Sequence, residues 1–118
     1  MKPETQFAPD VMSEMCPSRR LLNDVTSKWG ILVMLALRTE TMRFSSLRRR
    51  IGGVSEKMLA QTLKPLEADG FVVRRSFDVV PPHVEYSLTD HGIELAQHLG
   101  VLVSWLEKTM PDLPCARA

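Results

Sequence analysis

Apolar positions recur at helical spacing from Pro17 to Gly70, alternate with polar ones between Phe71 and Thr89, and return to helical spacing beyond it. The stretch "SRRLLNDVTSKW" sets Leu21, Leu22 and Val25 on one side of a helix, and Pro17 suits its first position. "WGILVMLALR" is apolar nearly all round, the mark of a buried central helix. "MRF" reads as a short extended connector, and "SSLRRRI" as a short helix that Ser45 can cap, with Leu47 and Ile51 inward. Gly52-Gly53 break it, Ser55 can cap the next helix, and Gly70 ends that helix as a residue beyond a C-terminus should. "FVVRRSF" and "HVEYSLT" are strand-like, and "DVVPP" between them carries paired prolines that cannot lie inside a ladder. That is a hairpin with a stiff, extended tip. Thr89 can cap a last helix, roughly residues 90–109, ahead of Pro111.

Helix, helix, short helix, helix, hairpin, long helix is the order of a winged helix-turn-helix domain. The fold class expected is therefore mainly α with a small β-hairpin wing, with additional N- and C-terminal helices for dimerisation. Residues 1–15 hold two prolines and no sustained period, and read as a flexible arm. Residues 16–110 are the domain, and 111–118 a flexible tail.

At about 100° per residue, Met58, Leu59, Thr62, Leu63 and Leu66 fall in one sector of the fourth helix, the expected core face. Lys57, Ala60, Gln61 and Lys64 lie opposite. Lysine suits phosphate, Gln can pair with adenine in the major groove, and Ala60 lets the helix approach closely. Pro65 removes one backbone hydrogen bond late in the helix and should bend its last turns while sparing the first. This helix is expected both to cover a core and to read.

Charge sharpens the picture. The net charge of +1 hides a basic middle: residues 43–75 hold eight basic side chains against three acidic, and 76–118 hold two against six. Arg48-Arg49-Arg50 cannot all be buried by one helical turn, so Arg48 and Arg49, like Arg43, are candidates for phosphate. Arg74 and Arg75 are adjacent in a strand and point to opposite faces. With His83 beside Pro81-Pro82 at the wing tip, they suit backbone or minor-groove contact. Ser55, Lys57, Gln61 and Lys64 complete the expected DNA-binding set.

These residues bear a family likeness. Over about Cys16 to Glu107 the chain resembles HxlR-type winged helix-turn-helix transcriptional regulators, which are related in architecture to the MarR type. The likeness rests on Cys16-Pro17, Lys28-Trp29, "MRFSSLRRRI", "GVSEKMLAQTLKPLEADGFV" and "VPPHVEYSLTDHG". Thr26-Ser27 stand where the family commonly has two glycines, and Pro65 where it has a good helix former. The resemblance implies a homodimeric DNA-binding regulator of bacterial type, and two recognition helices about 34 Å apart are then expected to meet double-stranded DNA at a near-palindromic operator.

The last helix asks for a partner. Leu95, Leu99, Leu102 and Leu106 make one seam, with Val103 on a second line, and so wide an apolar surface is expected to meet a copy of itself. Cys16 precedes Pro17 at a helix start with Arg19 and Arg20 in the first turn, features that favour thiolate. The resemblance adds that several family members sense oxidants or electrophiles through this cysteine; a small half-buried hydrophobe is the other reading of it. Cys115 sits in the tail.

Other chemistry is excluded more than found. The three histidines lack metal-site spacing, and no nucleophile–base pair, phosphate loop or carboxylate pair is present. Neither an enzyme, a metal nor a cofactor is expected. No run approaches eighteen apolar residues and "MKPETQFAPD" is no signal segment, so a cytoplasmic protein without a membrane partner is expected. Two alternatives stand beside DNA binding: a winged-helix module for protein partners, and a regulator with a small-molecule effector at the dimer junction.

Overall fold

The computed structural model describes residues 8–117, so the first seven residues of the expected arm and the last of the expected tail lie outside the described residues. Helix α1 (Pro17–Thr26) starts where extended Cys16 hands over to Pro17, whose fixed φ suits a first turn. It stops because Ser27 is extended; the same residue caps α2 (Lys28–Thr39), its Oγ accepting from the Gly30 N–H at 3.0 Å. α2 is the axis of the domain. Val33 and Met34 are wholly buried, and α1, α4, α5 and the sheet pack around them.

Residues Met42–Arg43 form β1, a strand rather than only a connector: Met42 pairs with Tyr86 and Arg43 with Glu85. Helix α3 (Phe44–Arg50) follows directly, with Arg43 at its N-cap. Ser45 therefore does not cap it, because the helix begins a residue earlier and Ser45 is already inside. Leu47 and Ile51 are buried as expected.

α4 (Glu56–Ala68) is capped by Ser55, whose Oγ accepts from the Met58 N–H at 3.0 Å. Leu59, Leu63 and Leu66 are buried against α2 and the sheet. Helical geometry runs through Pro65 to Ala68, and the Asp69 N–H donates to the Pro65 carbonyl at 2.8 Å. The chain then turns at Gly70, whose φ of +89° is open to glycine at no steric cost.

β2 (Val72–Phe77) and β3 (His83–Leu88) form the expected hairpin, and β1 extends it to a three-stranded antiparallel sheet of order β1-β3-β2. α5 (Asp90–Thr109) is capped by Thr89, whose hydroxyl accepts from the Gly92 N–H at 2.9 Å and donates to the Gly70 carbonyl at 2.6 Å. That side chain ties the start of α5 to the end of α4. Beyond α5, Met110–Asp112 and Pro114–Arg117 form 3-10 turns. Among the described residues, no helix is long and apolar enough to cross a membrane.

Candidate nucleic-acid interface

The outward face of α4 is built as the sequence predicts: Lys57, Ala60, Gln61 and Lys64 are all exposed. Met58 is not in the core. It lies about 100° around the helix from Leu59, at the margin of the inward sector, and is 39% exposed in the first turn. An exposed methionine beside Lys57 adds an apolar contact to the face, a group able to meet a thymine methyl. Angular counting missed it because a sector boundary does not say how far the neighbouring elements reach.

The arginines differ in their freedom. Arg43 is exposed at the start of α3. Arg48 Nη1 lies 3.5 Å from Glu56 Oε2, joining α3 to the first turn of α4, but both side chains are largely solvated and such a pair exchanges easily for phosphate. Arg49 Nη2 lies 3.4 Å from Ser46 Oγ. Ser55 commits one lone pair to the cap, which leaves its hydroxyl hydrogen free to donate.

The wing separates its two faces by register. Arg74 stands opposite buried Tyr86, and Arg75 opposite Glu85. Both arginines are exposed, because β2 is an edge strand with solvent along nearly all its length after Val72. Arg75 carries its guanidinium over the Phe77 ring at 5.3 Å. His83 is not offered at the tip. Its ring stacks on Phe77 at 4.9 Å between centroids, and its Nε2 lies 3.1 Å from Glu85 Oε2, so it holds the wing together.

The α5 seam divides. Leu99 is buried in the protomer and Leu95 packs against the same core, so these two are not free for a partner. A helix of 20 residues is about 30 Å long, and its buried residues, Gly92, Ala96 and Leu99, all lie in its N-terminal half. Further along, Val101 is 73%, Leu102 46%, Trp105 56% and Leu106 44% exposed. Val103 is half-buried on the opposite flank.

Cys16 is buried under the turn of residues 10–15. Its sulfur lies 2.9 Å from Ser18 Oγ and accepts from the Asp10 N–H at 3.4 Å. The Ser18 hydroxyl and amide, with the Asp10 amide, hold the thiol below its ordinary value, against burial and the Asp10 carboxylate. Arg19 and Arg20 are not the cause. Arg19 donates to the carbonyls of Val11 and Met12, closing the turn over the cysteine. Arg20 reaches Asp69 at the end of α4, 3.6 Å away. Burial and the nearby Asp24 carboxyl push Asp69 up to about 6, with Arg20 pulling the other way.

A family model described as HxlR-like helix-turn-helix matches residues 24–113. The HTH-type transcriptional regulator YtfH of Escherichia coli (strain K12) is 53% identical over 108 residues, covering 92% of this chain and 86% of that protein. Among solved structures, the transcriptional regulator ytfH from Salmonella typhimurium is similar with a TM-score of 0.87 at 52% identity, covering 93% of this chain and 98% of that one. The redox regulator HypR in its oxidised form gives a TM-score of 0.72 at 34% identity, covering 79% of this chain and 96% of its own.

Proposed function

Because the chain belongs to the HxlR-like helix-turn-helix family, we propose that it acts as a homodimer that reads double-stranded DNA, with Cys16 as a thiol that tunes the binding. That it is a transcriptional regulator of winged helix-turn-helix fold, and not an enzyme, follows from the family and its relatives. The finer reading is carried by one observation: the first turns of α4 expose Lys57, Met58, Gln61 and Lys64 together, while Leu59, Leu63 and Leu66 seat the helix rigidly on the core.

In the major groove Gln61 reads a base edge, Met58 meets an apolar one, and the lysines take phosphate. Arg43, Arg48 and Arg49 lie on the preceding elements, and Arg74 and Arg75 on the wing, as further phosphate contacts. A dimer through the exposed half of α5 would set two such helices about 34 Å apart for a near-palindromic site. Cys16 enters because it begins α1, and α1 is tied through Arg20 to the end of α4. A modified sulfur no longer fits beneath its turn, so α1 shifts and the spacing of the two reading helices with it. The similarity to a redox regulator supports this part.

The test is fluorescence anisotropy on fragments selected from genomic DNA, over a range of salt. Lys57→Ala with Lys64→Ala should weaken all sequences alike and flatten the slope of log affinity against log salt by about 1.8. Gln61→Ala should relax base preference with little change of slope. An unchanged affinity and slope in the double variant would overturn this docking. Iodoacetamide, alkylating the thiolate with loss of iodide, should lower operator affinity in wild type and leave Cys16→Ser unaffected.

A further inference from the structure

On the flank of α5 away from Leu102 and Leu106 lies a cavity of about 560 Å³, closed by α2 on one side and the end of α3 on the other. At about 100° per residue, Gly100, Ser104 and Glu107 face it while Leu102 and Leu106 face elsewhere, and Val101 and Trp105 border a second hollow that shares Arg38, Gly100 and Ser104 with it. Its apolar lining includes Leu32 and Leu35 of α2 and Val103 of α5. Its rim carries two guanidinium groups, Arg38 from the last turn of α2 and Arg50 from the last turn of α3, with the single carboxylate of Glu107.

Neither arginine has an ion-pair or hydrogen-bond partner among the described residues, although other arginines of the chain do. Arg38 is exposed, and its guanidinium lies against α5. α5 passes it at Gly100, where an added Cβ would collide with the Arg38 guanidinium itself. The absent side chain leaves room for the Arg38 guanidinium beside the cavity.

We propose that this cavity binds a small carboxylic acid with an apolar body, its carboxylate held between Arg38 and Arg50 and its body against Leu32, Leu35 and Val103. Guanidinium matches carboxylate in planar geometry, and a charge-assisted pair is shorter and stronger than a neutral hydrogen bond. Glu107 on the same rim sets the local excess at a single positive charge, which suits a monoanion better than a phosphate. The volume falls in the range of small-molecule sites. Arg50 and Gly52 also belong to the segment that leads into α4, so the occupant touches both the approach to the reading helix and the long helix behind it.

Isothermal titration of the full-length chain with benzoate, 2-naphthoate and decanoate tests the site, with 2-naphthamide as the uncharged control. At least one acid should bind saturably, one per chain, and the amide at least about tenfold more weakly than naphthoate. Arg38→Gln and Arg50→Gln are exposed substitutions that should keep the thermal midpoint and each weaken binding by about tenfold or more. Glu107→Gln should tighten it. Failure of all three acids to bind, equal binding of acid and amide, or wild-type affinity in the double arginine variant would overturn the proposal. DNA does not enter the measurement, so the site stands or falls separately from operator binding.

Discussion

Ser18 lies two residues beyond Cys16 with its hydroxyl oxygen 2.9 Å from the sulfur, so the smallest unit of chemistry in this protein is a thiol and a local donor. A hydroxyl that donates to sulfur favours the thiolate, and so do the amides of Ser18 and Asp10. The basic residues nearest in sequence do other work: Arg19 closes the turn above the cysteine and Arg20 leaves for Asp69. Ser18→Ala should therefore raise the thiol pKa, seen as an upward move of the midpoint in the pH profile of alkylation. Arg20→Ala should leave that midpoint in place. A profile that follows Arg20 and ignores Ser18 would restore the arginine explanation.

Between elements, the contact with the clearest pH consequence is the one joining α1 to the end of α4. Asp69 is 5% exposed, carries one ion pair to Arg20, and faces the Asp24 carboxyl. Its folded value of about 6 lies above the ordinary 3.8, so between these values the folded chain binds more protons than the unfolded one. Stability then falls as pH rises through that window, the reverse of the usual carboxylate. The urea midpoint should be higher near pH 5 than near pH 7.5 on this account. Asp69→Asn, which stays neutral, should lose most of that difference. A variant with the wild-type pH profile would show that the dependence comes from elsewhere.

For the molecule as a whole, the division of α5 separates two outcomes that its leucines alone do not distinguish. Leu99 is 7% exposed and Leu102 46% exposed, though both belong to the same sequence seam. Leu99→Glu should unfold the protomer, because a buried unpaired carboxylate costs several kcal/mol. Leu102→Glu should leave a folded chain that sediments as monomer, since in the proposed dimer the charge meets only the partner. A folded Leu102→Glu variant that stays dimeric would move the interface to other exposed apolar groups, among them Met12, Met15 and Leu22 in and before α1.

Periodicity and turn chemistry were sufficient for the longer helices and the hairpin, but not for β1 or the start of α3. Ser55, Gly70 and Thr89 mark helix ends through side-chain donors, acceptors and backbone freedom that any structure must satisfy, and the burial of Leu59, Leu63 and Leu66 follows from a helical period of 3.6. The winged helix-turn-helix order, and the outward face of Lys57, Gln61 and Lys64, were legible for the same reason: they depend on local geometry. What escaped depends on how far a neighbour extends. Met58 and Leu102 are exposed, Leu99 is covered and Met42 joins the sheet, outcomes set by how neighbouring elements pack, which no local pattern encodes. Direction escaped as well. Arg19, Arg20 and His83 are long or planar side chains with several reachable partners, and only the folded chain chose the turn, Asp69 and Glu85 among them. Local spacing decided what each segment becomes; tertiary contact decided which of its groups are left to act.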